Sequence, residues 1–80
     1  MVSPVSVTVL GATGSIGRSA AAVIRQTPGQ FRVEAVAGGS NARALAAIAR
    51  DLGARCAAIA SDSAYRELKD ELSGSGITAM

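Results

Sequence analysis

The stretch VTVLGATGSIGRSAAAVI, residues 7–24, decides how the whole chain is read. An apolar run gives way to glycines at 11, 14 and 17, and an alanine-rich segment follows directly. The β-branched residues of VSVTVL predict a strand over 5–10. Residues 15–27 predict a helix, with Ile16, Ala20, Val23 and Ile24 on one apolar face at i, i+4, i+7 and i+8. The three glycines between and within these elements have separate tasks. Gly11 lets the chain turn tightly out of the strand, Gly14 leaves bare backbone for a pyrophosphate, and Gly17 brings the helix close against the sheet. Free N–H groups around Ser15 and Ile16, with the helix dipole behind them, form an anion site, to which Thr13 and Ser15 add hydroxyl donors. The spacing is GxxGxxG, and no Lys follows the last glycine, so a Walker P-loop is excluded.

Downstream, the same alternation repeats. Pro28-Gly29 stops the helix, and FRVEAVA, 31–37, predicts a second strand. The turn GGSN, 38–41, offers Ser40 or Asn41 as the cap of a second helix. That helix carries Leu45, Ile48, Ala49 and Leu52 inward and closes at Gly53. RCAAIA, 55–60, predicts a third strand. Ser61, Asp62 and Ser63 then open a third helix with Tyr65, Leu68 and Leu72 on one face, and ITAM, 77–80, starts a fourth strand. The fold class is therefore α/β: a Rossmann-like βαβαβα half of a doubly wound parallel sheet. Right-handed crossovers put the first two helices on one face and leave only the third for the other. Parallel sheets are covered on both faces, so the expectation is that residues 1–80 are the amino-terminal part of a larger dinucleotide-binding domain, incomplete on its own.

Composition narrows the function. The chain is 49% hydrophobic and 18% charged, in keeping with a globular domain. Its net charge of +2 comes from scattered residues without a basic run, so no nucleic-acid surface is expected. No apolar run is long enough for a membrane span and no leader is evident, which leads to the expectation of a cytoplasmic protein with no membrane partner. The single Cys56 excludes an internal disulfide. There is no histidine, and Glu34, Asp51, Asp62, Glu67, Asp70 and Glu71 are not grouped at metal-ligand spacing. Neither a catalytic residue nor a metal ligand is expected within the chain.

The choice of dinucleotide turns on the end of the second strand. A carboxylate there holds the ribose hydroxyls of NAD and repels a 2′-phosphate. Here the strand ends AVAGGSNAR, with Glu34 too early and Ser40, Asn41 and Arg43 at the next helix start, which favours NADP.

VTVLGATGSIGRS, IRQTPGQFRVEAVAGGSN and CAAIASDSAYRELKDEL together resemble the amino-terminal NADPH-binding segment of the 1-deoxy-D-xylulose 5-phosphate reductoisomerase family, over nearly all of residues 5–73. The resemblance implies an NADPH-dependent enzyme of non-mevalonate isoprenoid synthesis, acting on a small sugar phosphate with Mg or Mn, as a homodimer. It places Thr13, Gly14, Ser15 and Ile16 at the pyrophosphate turn and Gly39, Ser40 and Asn41 at the adenosine-ribose turn. Many members have a basic residue where Ser40 stands, and Arg43 is the nearest compensating cation. The family's metal carboxylates, phosphate ligands and histidine-bearing lid match nothing in residues 1–80. Two alternatives share the glycine motif: another GATG-type NADP reductase such as an aspartate-semialdehyde dehydrogenase, whose catalytic cysteine Cys56 is wrongly placed to supply, and a non-catalytic dinucleotide sensor.

Overall fold

The computed structural model describes residues 4–80. The chain alternates β1 (Val5–Val9), α1 (Ser15–Gln26), β2 (Phe31–Gly38), α2 (Ala42–Leu52), β3 (Cys56–Ile59), α3 (Asp62–Glu71) and β4 (Thr78–Ala79). The four strands form one parallel sheet in the order β1-β2-β3-β4, as the βα alternation predicts.

Both ends of α2 have a local cause. At α2 the Asn41 side chain accepts a hydrogen bond from the Ala44 N–H at 3.1 Å, so of the two cap candidates it is Asn41 that serves. Gly53 ends that helix in the left-handed region, at φ +64°, with its N–H returned to the last turn. Ser61 precedes α3 without a side-chain capping bond; its hydroxyl lies 3.0 Å from that of Ser63.

The core lies between the sheet and one layer of helices. Leu45, Ala46 and Ala49 of α2 and Leu68 of α3 pack with Val9, Val33, Val36 and Ala57 of the strands. A register shift between Val7 and Thr8 decides part of this. Val7 faces Val33 but Thr8 faces Ala35, so Glu34 is skipped as a β-bulge. Residues three apart in a regular strand point to opposite faces; the extra residue allows Val33 and Val36 both to enter the core.

Two expectations need correction. The third helix does not cover the opposite face: α3 packs against α2 on the same side. The reason is that β4 pairs with β3 on its far side, so the crossovers never reverse direction, and right-handed crossovers in one direction stack every helix on one face. The apolar face of α1 is also not fully inward. Gly17 and Ala21 are its buried residues, Ala20 and Ile24 are half-buried, and Ile16 and Val23 are 85% and 54% exposed. Those two lie on the side of β1, the edge strand, with no further strand beyond it among the described residues. On α3, Leu68 is buried whereas Tyr65 is 39% exposed.

Candidate dinucleotide site

The loops at the carboxyl ends of β1 and β2 form the candidate site. Gly11 leaves β1 at φ +61°, a left-handed turn that a side chain would strain. The loop then doubles back, the Gly14 N–H donating to the Gly11 carbonyl at 2.9 Å. Ala12, fully buried, donates its N–H to the Ala37 carbonyl at 2.9 Å and so ties this loop to the end of β2. Its small side chain is what fits there, a role that the glycine spacing alone does not reveal.

The glycines divide by what the fold demands of them. A Cβ on Gly17 would lie 2.3 Å from the Gly11 carbonyl oxygen and 2.6 Å from the Ala12 Cα, so the start of α1 crosses the loop at a distance only glycine permits. Gly14 is different. Its φ of −86° and ψ of 177° suit any residue, and a Cβ there would meet one atom, the Gly11 oxygen, at 3.4 Å. Gly39 is freer still, with nothing within 4 Å of a Cβ and no positive φ.

Gly14 caps α1 without a side-chain hydrogen bond. The first N–H bonded back at the helix start is that of Arg18, to the Gly14 carbonyl at 2.9 Å, so the N–H groups of Ser15, Ile16 and Gly17 have no partner among the described residues. Three donors at the positive end of the helix dipole suit an anion. Thr13 is half-buried, and Ser15 and Ile16 are exposed beside it.

At the second loop, Gly39, Ser40 and Asn41 are exposed between β2 and α2. The Asn41 oxygen is engaged as the cap, which leaves its amide N–H groups to donate. Arg43 lies on α2 next to this turn, 81% exposed, but its Nε is 3.8 Å from Glu71 Oε1, toward α3. The structure thus brings Gly11, Thr13, Gly14, Ser15, Ile16, Gly39, Ser40 and Asn41 to one end of the sheet and holds the Arg43 guanidinium aside. A third loop, outside the sequence reading of the site, also reaches it: Ala60 and Ser61 donate their N–H groups to the carbonyls of Gly38 and Gly39.

No group of three or more His, Cys, Asp or Glu residues could hold a metal ion among the described residues, and no helix there is long and apolar enough to cross a membrane. Cys56 is half-buried, its thiol donating to the Glu34 carbonyl at 3.4 Å.

The comparisons with known proteins agree with one another. A family model described as 1-deoxy-D-xylulose 5-phosphate reductoisomerase matches residues 7–80. A reductoisomerase of that name from Afipia carboxidovorans is 56% identical over 71 residues, covering 89% of this chain and 17% of the relative. One from Nitrobacter hamburgensis is 53% identical over 72 residues, covering 90% of this chain and 18% of the relative. Among solved structures, the Zymomonas mobilis enzyme in complex with NADPH superposes with a TM-score of 0.93 at 42% identity, over 99% of this chain and 21% of its own. The chain therefore spans about a fifth of the length of the relatives it matches. With the Rossmann-like sheet, the glycine loop and these similarities in agreement, the chain belongs to the 1-deoxy-D-xylulose 5-phosphate reductoisomerase family.

Proposed function

We propose that residues 1–80 are the NADPH-binding segment of an enzyme that rearranges and reduces 1-deoxy-D-xylulose 5-phosphate to 2-C-methyl-D-erythritol 4-phosphate. The observation that carries this reading is the pair Gly14 and Gly39. Neither needs to be glycine for its backbone conformation or for contacts within the protein, and both lie at the same end of the sheet. A ligand pressed against the main chain explains both. The Zymomonas mobilis enzyme, which shares this fold, was solved with NADPH.

In this proposal the diphosphate lies on the turn Gly11–Gly17, received by the N–H groups of Ser15, Ile16 and Gly17 and the hydroxyls of Thr13 and Ser15. Gly39, Ser40 and Asn41 face the adenosine ribose. Arg43 reads the 2′-phosphate after leaving Glu71; an exposed pair of that kind is worth about 0–1 kcal/mol, so a dianionic phosphate displaces the carboxylate. Bound NADPH supplies a hydride. The task of this segment is to aim it, with binding energy drawn from the phosphates. The Mg or Mn ion is proposed to be held by residues outside 1–80, since the described carboxylates form no cluster, and no step through it is assigned to this chain. A cytoplasmic homodimer belongs to the same proposal and rests on family membership. That membership also sets aside the semialdehyde dehydrogenase alternative.

The test is NADPH oxidation by the intact protein with Mn²⁺, with and without 1-deoxy-D-xylulose 5-phosphate. Turnover that requires the sugar phosphate is the expected result. NADPH binding without turnover would turn the assignment toward a sensor, and no binding would overturn it.

A further inference from the structure

The ribose turn has an unusual weakness: it leaves β2 through Gly38 and Gly39, two adjacent residues with no side chain to anchor them. Glycine loses more backbone freedom on ordering than any other residue. A ligand that had to freeze this turn on arrival would lose affinity. The turn is nevertheless held, and by the loop between β3 and α3. The Ala60 N–H donates to the Gly38 carbonyl at 3.0 Å, and the Ser61 N–H to the Gly39 carbonyl at 2.9 Å. The Ala60 bond is the last rung of the β2–β3 ladder and closes the Gly38–Ile59 pair. Donors on one strand of a parallel ladder alternate between neighbours, so the Ser61 bond, one residue further on, is not a continuation of the sheet. Together the two bonds form a clamp. No side chain takes part, as the Ser61 hydroxyl is turned to Ser63 at 3.0 Å.

We infer that Ser61 is a positioning residue for the adenosine side of the dinucleotide, acting through its backbone N–H, which fixes Gly39 before the ligand arrives. The inference rests on the proposed NADPH site and adds a determinant on the third βα loop. Ser61 has φ −80°, within the range that proline adopts, so Ser61→Pro removes the N–H at a compatible backbone angle.

The experiment measures affinities of the intact protein and its Ser61→Pro variant for NADPH, adenosine 2′,5′-bisphosphate and inorganic pyrophosphate. Losing one backbone hydrogen bond is expected to weaken NADPH and the bisphosphate alike, by about five- to tenfold. Pyrophosphate, which needs only the glycine loop, is expected to bind as before. Ser63→Ala, which disturbs the same helix start without touching the clamp, is expected to match the wild type for all three. Unchanged bisphosphate affinity in Ser61→Pro, or an equal loss for pyrophosphate, overturns the inference. Should that variant not fold, amide exchange in the wild type decides: the Ser61 N–H is expected to be protected, and more so with the bisphosphate bound. Exchange at the rate of an open loop amide, or no response to the ligand, overturns the clamp. A wild type that binds NADPH but shows no clamp effect leaves the proposed function standing, whereas one that does not bind NADPH overturns both.

Discussion

At the scale of single residues, the glycine loop separates into positions the fold requires and positions it spares. Gly17→Ala would drive a methyl group into backbone atoms at 2.3–2.8 Å, and neither the Gly11 carbonyl nor Ala12 can yield without moving the loop. We expect a loss of about 2–3 kcal/mol, read as a fall in the melting temperature of the intact protein. Gly14→Val is expected to do the opposite: a small change in melting temperature and loss of measurable NADPH binding, because the new side chain occupies the place of the diphosphate. Calorimetry on the two variants checks both. If Gly14→Val kept wild-type affinity, the diphosphate would have to lie elsewhere. The motif was legible in the sequence because strand, turn and helix are local. The Ala12 link to β2 and the Ser61 link to Gly39 were not, since each joins residues more than 20 positions apart through backbone atoms that carry no residue-type signal.

At the scale of elements, helices are tied at their ends as well as through the core. Arg50, in the last turn of α2, donates from Nη2 to the Glu71 carbonyl at 2.8 Å and reaches the Ser73 carbonyl at 3.5 Å. It thereby satisfies carbonyls that the end of α3 leaves open. Arg25, in the last turn of α1, forms an ion pair with the Asp51 carboxylate of α2. Arg50→Ala is expected to cost about 1 kcal/mol and to lower the melting temperature of the intact protein, because a charged donor to two carbonyls is replaced by water. No change on a thermal melt would show the bridge to be energetically idle. Periodicity placed each element to within a residue or two but misjudged the inward face of α1. A 3.6-residue pattern reports that a face is apolar, not what covers it, and Ile16 and Val23 look past the edge strand β1. The bulge at Val7/Thr8 was equally invisible, as it depends on the register of β1 against β2.

At the scale of the whole molecule, α/β alternation was plain in the sequence, but the placement of α3 was not. Its side depends on where β4 pairs, and the two-residue β4 carries too little pattern to say. The result is one sheet with one helix layer, 14 Å through its thinnest Cα extent, and no helix on the other face among the described residues. Along the β1 edge, Val5 and Leu10 are 58% and 75% exposed next to Ile16 and Val23. The 80-residue chain expressed alone is therefore expected to self-associate through this edge or to melt without a sharp transition. Sedimentation and thermal melting test this, and a monomer with a sharp transition would refute it.

The strand order has a consequence for how the sheet is made. Every strand pairs with the one before it in the chain, so no loop has to close over a strand not yet synthesised. Each βα unit adds to an edge that precedes it in the chain, and growth from β1 toward β4 joins strands separated by one helix rather than by several. The clamp from Ser61 to Gly39 comes late in that order. The nucleotide turn thus takes its final shape only after the third strand and the loop behind it have been made.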